Sequence, residues 1–227
     1  MMLPIEGTPH DCVQSTDVFL RPRQDLHNQP IIAELTLFVD GSCFRDATGN
    51  HAGYAIIQLH PDDTFTEVQT LKLPQPCSAQ LAEIKALTAA CHLAADKTLN
   101  VYTDSQYAYA VCHVHGVIWK QRGFLRADGS PVTHGEAISA LLEAIHHPKA
   151  LAIIKCAAHQ KTNSLIAKGN NLADEAAKRI ATSTCMGPQL VAEDCEPLTN
   201  LASLIAAQQQ SGPYSHSAWL QRGAVNR

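Results

Sequence analysis

At 227 residues and 24.6 kDa, the chain is long enough to bury one core of ordinary size without disulfide or metal staples. Hydrophobic residues make up 45% and charged residues 17%, a balance that excludes wholesale disorder. The formal charge of −4 hides an asymmetry: residues 1–104 carry 6 Lys+Arg against 13 Asp+Glu, whereas 105–181 carry 9 against 5.

No apolar run reaches the roughly 18 residues that a membrane span needs. The opening MMLPIEGTPHDC has neither the basic nor the apolar region of a signal peptide. Eight cysteines with no Cys-x-x-Cys pair suit a reduced chain, which predicts an intracellular protein.

Residues 1–34 are rich in Pro, Asp and His without a sustained period and read as a leader or linker. Glu34 to Val39 is a β-rich run that ends in Asp40 and a Gly41-Ser42 turn. Gly53 to Leu59 and Phe65 to Leu73 read as two further strands, with Pro61-Asp62-Asp63 turning between them. Ser78 is a candidate N-cap for a helix to about Ala95, on which Leu81, Ile84, Leu87 and Cys91 recur at helical spacing. Leu99 to Thr103 is a short buried-type strand, Ser105 to about His113 a helix, and His134 to His147 another, stopped by Pro148. Leu151 to Ala157 has the near-continuous apolar character of an interior strand. A last helix is predicted from about Asn170 to Ala181, with an apolar stripe of Leu172, Ala176 and Ile180. Three meander strands followed by βαβ-type alternation indicate a mixed sheet with helices on its faces. Residues 182–227 are polar, with Gln208-Gln209-Gln210 and a small apolar patch at Leu201 to Ile205, and read as a tail.

Four carboxylates stand out from the 21 acidic residues. Asp40 and Asp104 each end an apolar strand, Glu83 lies early in a helix among apolar neighbours, and Asp174 lies near the start of the final helix. Any one of them suits a cap or a surface charge. Acids at buried element ends cost desolvation unless they are paired or bind a cation. Acids crowded together raise each other's pKa, a repulsion that hard divalent cations such as Mg²⁺ or Mn²⁺ relieve. Two such ions about 4 Å apart are a common device for phosphodiester hydrolysis.

The blocks Asp40-Gly-Ser, Ser78-Ala-Gln-Leu-Ala-Glu83, Tyr102-Thr-Asp104-Ser-Gln-Tyr107, and Ala158-His159-Gln160 with Gly169-Asn-Asn-Leu-Ala-Asp174 resemble the ribonuclease H domain of reverse transcriptases, the gammaretroviral type above all. The resemblance covers about 35–181, with the blocks in family order. It implies an α/β ribonuclease H-like fold: a five-stranded mixed sheet, three antiparallel strands and then two parallel ones, flanked by helices. It further implies an endonuclease that cuts the RNA strand of an RNA–DNA hybrid, leaving 5′-phosphate and 3′-hydroxyl ends. By that likeness Asp40 would bridge two Mg²⁺ ions, with Mn²⁺ as a substitute. Asp174 would complete the site of the ion that activates water, and Glu83 and Asp104 that of the ion facing the leaving oxygen.

His159 matches the family's loop histidine, which assists proton transfer or product release, although a loop histidine by itself equally suits solvent. Discrimination of RNA from DNA calls for contacts to 2′-hydroxyls. Gln80 and Gln106 are chemically apt, and with Ser105 and Tyr107 they match hybrid-contacting positions, while Gly41 and Ser42 offer backbone N–H groups to a phosphate. The stretch His113 to Gly123, with Trp119, Lys120 and Arg122, resembles the extra helix and basic protrusion of gammaretroviral and cellular enzymes, which implies that this piece binds hybrid alone. Val39, Cys43 and Ala157-Ala158 depart mildly from the family pattern.

The resemblance extends weakly to the flanks. Pro9 to Cys12 and Arg21 to Pro30 look like the end of a reverse transcriptase connection region, and Leu201 to Ala224 like the start of an integrase. The expected partners are an RNA–DNA hybrid and the polymerase part of a reverse transcriptase, with no membrane and no structural zinc. The expected location is the cytoplasm, the nucleus or a virion. Two other readings stand beside this one: a nucleic-acid-binding module that has lost turnover, and another nuclease of the same fold, such as a junction resolvase or integrase core. The four acids argue against the first, and Glu83 with Gln80 and Gln106 against the second.

Overall fold

The computed structural model describes residues 22–158 and 164–183. In chain order these form strands β1 (Leu26–His27), β2 (Leu35–Asp46), β3 (Gly49–Leu59) and β4 (Phe65–Leu73), then helix α1 (Ala79–Leu93) and strand β5 (Thr98–Thr103). Helix α2 (Gln106–Ala110) runs through a π-helical turn (Val111–His115) into α3 (Gly116–Gln121). Helix α4 (Gly135–Ala144), strand β6 (Ala150–Lys155) and helix α5 (Leu165–Thr182) complete the domain. The mixed sheet has the order β1-β6-β5-β2-β3-β4. β2, β3 and β4 are antiparallel, while β5 and β6 run parallel to β2 and to each other.

The expected five strands are therefore present, with a sixth at the edge. Leu26 and His27 pair in parallel with Leu151 and Ala152, inside the stretch that sequence alone assigns to a leader. Two residues are too few to show a period, so only the neighbouring strand reveals them. Nearby, Arg23 donates to the carbonyls of Ile145, Pro148 and Lys149 at 2.6–2.8 Å and grips Asp25 through two nitrogens.

Alternation along β2 sorts the core into two layers. Leu37 and Val39 join a cluster with Ile84, Leu87 and Cys91 of α1 and Ile138 and Leu141 of α4. Phe38 faces the other way and packs with Tyr102, Ala173, Ala176 and Ala177, its ring stacked on that of Tyr102 at 5.0 Å. The Gly41-Ser42 turn expected from sequence does not form. β2 runs on to Asp46, with Gly41 opposite Tyr54 and Ser42 opposite Gly53, and the hairpin turns at Ala47-Thr48 into Gly49, whose φ of +124° suits glycine.

Helix α5 also begins earlier than predicted, at Leu165, where the Ser164 hydroxyl accepts from the Ala167 N–H. Its buried face is Ala167, Gly169, Asn170, Ala173, Ala176, Ala177 and Ala181, while Leu172 is 38% exposed. A Cβ at Gly169 would lie 2.5 Å from the Phe38 ring. Small residues let α5 lie against the sheet, and such a stripe is nearly silent in a hydrophobic pattern.

Among the described residues Cys43, Cys77, Cys91, Cys112 and Cys156 are free thiols, and no helix is long and apolar enough to cross a membrane.

Candidate active site

The pairing of β2 with β5 ends at Val39 opposite Thr103. The next residue of each strand's path is an acid, so Asp40 within β2 and Asp104 just past β5 stand side by side where the parallel pairing finishes. Both follow the alternation of Phe38 and Tyr102 and therefore face α5. That helix supplies Asp174, one turn beyond Asn170.

Glu83 comes from the opposite layer. α1 crosses close to β2 at Gly41, where a Cβ would meet the Glu83 nitrogen at 2.4 Å and the Ala82 carbonyl carbon at 2.6 Å. No residue with a side chain fits there without moving the helix. Ser78 sets where the helix starts, its hydroxyl accepting from the Leu81 N–H at 3.1 Å. Glu83 then lies in the second turn, within reach of the strand ends.

Each of the outer three carboxylates has its own donor. The Ser105 hydroxyl donates to Glu83 Oε2 at 2.5 Å and also caps α2 by accepting from the Ala108 N–H. Asn170 Nδ2 donates to Asp104 Oδ2 at 3.0 Å, and Lys178 Nζ pairs with Asp174 Oδ2 at 2.7 Å. Lys155 Nζ donates to the Asp104 main-chain carbonyl at 2.9 Å.

Asp40 is the group on which the electrostatics converge. It is 8% exposed, and burial pushes its carboxyl up, aided by the charges of Asp104, Asp174 and Glu83, to about 7; the Gly41 N–H opposes the shift. Glu83 is also raised, by burial first, against the hydrogen bond from Ser105. The hydrogen bond to Asp174 raises Lys178, with help from the charges of Asp174, Asp40 and Asp104.

Among the described residues no three His, Cys, Asp or Glu side chains are drawn tightly round a single point. The donor set nevertheless suits a hard divalent cation. Its ligands would be carboxylate oxygens, and a cation offsets both the burial and the like charges that raise Asp40.

The sequence-predicted contact residues fall into three groups. Gln80, Gln106, Lys120 and Arg122 are exposed and free to meet a ligand. Gly41, Ser42 and Tyr107 are half-buried beside the carboxylates, and Trp119 is half-buried against the core and stacked on His115. Ser105 is buried, with its hydroxyl committed to Glu83 and the α2 cap, so it acts here as a partner of the acid. His159 lies outside the described residues, as do Pro9 to Cys12 and the tail beyond Ser183.

Sequence reasoning passed over Asn170, Lys155 and Lys178 as parts of the site. For Lys178 the i, i+4 spacing from Asp174 was a usable signal. Asn170 sits four residues before Asp174 on the same face, but nothing local marks its bond to a strand end 66 residues earlier.

A mixed sheet with one acid where β2 leaves its pairing with β5, one just past the end of β5 and one on each of two flanking helices defines a nuclease-type carboxylate centre. Residues 33–182 match the family model described as RNase H, and the chain belongs to the ribonuclease H family. It is 44% identical over 199 residues to the Gag-Pol polyprotein of woolly monkey sarcoma virus, a match taking in 86% of this chain and 11% of the polyprotein. It thus spans about a tenth of the length of such curated relatives. Among solved structures it resembles the prototype foamy virus protease–reverse transcriptase, with a TM-score of 0.59 and 27% identity over 69% of this chain and 22% of that one. It also resembles the solution structure of the foamy virus RNase H domain, with a TM-score of 0.54 and 27% identity over 66% and 94% of the two chains.

Proposed function

We propose that this chain is a metal-dependent endonuclease that hydrolyses the RNA strand of RNA–DNA hybrids, leaving 5′-phosphate and 3′-hydroxyl ends. The observation that carries this reading is the carboxylate set around Asp40, whose carboxyl is raised by burial first and then by the charges of Asp104, Asp174 and Glu83. Family membership over residues 33–182 supports the substrate.

Two Mg²⁺ ions, or Mn²⁺ in their place, would be held by Asp40, Glu83, Asp104 and Asp174. The chemistry they bring is polarisation of the attacking water and neutralisation of charge on the departing 3′ oxygen. The chain's own residues orient these ligands: Ser105 aims Glu83, Asn170 aims Asp104, and Lys178 restrains Asp174. Hydrogen-bonded supports of this kind, Ser105 and Asn170 buried and Lys178 at the surface, keep carboxylates in place through a catalytic cycle. His159 would move protons or help the product leave, work for which an imidazole is chemically apt.

Substrate would lie across the face that bears Gln80, Gln106 and Tyr107, whose polar groups suit minor-groove 2′-hydroxyls. Gly41 and Ser42 would lie beside the scissile phosphate. Trp119, Lys120 and Arg122 would extend the contact along the backbone by charge and stacking. Residues before 35 and after 181 are read as the ends of neighbouring connection and integrase regions of a retroviral Pol. The polymerase part would then be a partner, in the cytoplasm, the nucleus or a virion.

The test is cleavage of a labelled RNA–DNA hybrid in Mg²⁺, with single-stranded RNA and duplex DNA beside it and Asp40→Asn and EDTA as controls. Hybrid-only cutting abolished by either control is the expected result. A hybrid that is bound but left intact, even with a polymerase partner added, would make the chain a binding module.

A further inference from the structure

We propose that His92 and His147 form a second metal site, one that takes a borderline transition ion of the Zn²⁺ type and rejects Mg²⁺. It lies at the far end of α1 from Glu83, nine residues and about 13 Å along the helix, and shares no residue with the carboxylate centre.

The two rings meet through like atoms. His92 Nδ1 and His147 Nδ1 are 3.1 Å apart, with the ring planes 79° to each other and the centroids 4.6 Å apart. A neutral imidazole carries one N–H, so one ring must donate and the other accept. Two nitrogens that each sit 2.0–2.1 Å from a tetrahedral zinc ion lie about 3.3 Å apart. Exchanging the shared proton for an ion therefore asks for a few tenths of an ångström in the N···N distance and a turn of both exposed rings, so that their lone pairs converge on the ion.

Backbone bonds hold the pair in place. Asp96 N–H donates to the His147 carbonyl at 3.0 Å, Lys149 N–H to the Lys97 carbonyl at 2.8 Å, and Ala95 N–H to the His92 carbonyl at 3.2 Å. The loop after α1 and the loop after α4 are thereby stitched together, which brings the last turn of α1, with His92, against the loop that carries His147. His92 lies in the last turn of α1 and His147 just past the end of α4, so both stand at helix C-termini, whose partial negative charge favours a cation. Lys97 and Lys149 on the same loops are exposed, and Asp96 offers an opposing charge. Both rings are exposed, open to an arriving ion.

Imidazole ligands favour zinc, nickel and copper, whereas Mg²⁺ wants oxygen. Among the described residues no third His, Cys, Asp or Glu joins the pair. Water would complete the coordination and leave the ion exchangeable, a clip between α1 and α4.

The test is thermal unfolding with ZnCl₂ as the probe, carried out on Asp40→Asn protein so that the carboxylate centre contributes little. Micromolar Zn²⁺ should raise Tm by at least about 3 °C and Mg²⁺ should not. His92→Gln and His147→Gln should each remove the shift, and a His146→Gln control should keep it. In otherwise wild-type protein the two glutamine variants should cleave hybrid in Mg²⁺ at unchanged rate. A zinc shift that survives in both variants would place the ion elsewhere, at the thiols for instance, and overturn the proposal; so would the absence of any shift.

Discussion

A methyl group on Gly41 would sit 2.4 Å from the main-chain nitrogen of Glu83. Strand β2 and helix α1 touch backbone to backbone at that point, and the contact is what allows an acid from one layer to join acids facing the other. Gly41→Ala should therefore do two things. It should destabilise the fold by about 1–3 kcal/mol through overpacking, measured by urea unfolding. It should also slow hybrid cleavage by about tenfold or more at temperatures where the variant is fully folded, because Glu83 is pushed outward. Wild-type turnover in a folded variant would mean that Glu83 tolerates displacement.

Asp40→Asn should stop cleavage, with a loss of at least about 100-fold, some 3 kcal/mol of transition-state stabilisation. The same change should make the metal-free protein more stable at alkaline pH. With the folded-state carboxyl raised from 3.8 to about 7, the stability contributed by the protonated group is whole below about pH 4 and is lost as pH rises through about 7. Melting curves in EDTA should show wild-type Tm falling between pH 5 and pH 8 by several degrees more than the variant's. Added Mg²⁺ should restore wild-type Tm at pH 8 and leave the variant unmoved. Parallel pH profiles for the two proteins would remove Asp40 as the source of the strain.

Asn170 is 1% exposed and joins three elements, accepting from the Cys156 thiol at 3.2 Å while donating to Asp104. Asn170→Ala should lower kcat about 10–100-fold through misorientation of Asp104, with KM for the hybrid nearly unchanged. Asn170→Asp would place a fifth carboxylate against Asp104 and should raise the Mg²⁺ concentration needed for half-maximal rate. If kcat survives Asn170→Ala, Asp104 is positioned by its strand alone.

Arg23 lies ten residues before the stretch that matches the family, yet its side chain is 9% exposed and donates to three carbonyls besides Asp25. Arg23→Ala should cost about 1–3 kcal/mol, because it leaves those carbonyls with fewer partners. Hybrid cleavage at saturating substrate should stay within twofold. A protein starting at Glu34 should show the same loss, and equal stability of both forms would mark residues 22–33 as an ornament.

The strands at Leu35 and Phe65, the helix capped by Ser78 and the interior strand before Lys155 were all legible from local period and caps, because those signals depend on neighbours within a turn or a pleat. The four acids were legible for a similar reason: Asp40 and Asp104 each close an apolar run and Glu83 stands among apolar neighbours, where a charge is conspicuous, and the order of all four matched a known family. Other features had no local trace. β2 continues through Gly41 and Ser42 only because β3 lies alongside to pair with them. α5 begins at Leu165 with a face of alanine and glycine that no apolar count detects, and β1 is two residues long.

The roles of Ser105, Asn170 and Arg23 belong to the tertiary structure alone. Their partners are 22, 66 and more than 120 residues away. A side chain's hydrogen bond is decided by which acceptor the folded backbone brings within 3 Å, and chain order carries no such distance. The raised carboxyl of Asp40 is of the same kind: sequence marks four acids as candidates, but only packing the two helices against the sheet buries Asp40 and turns the other charges on it.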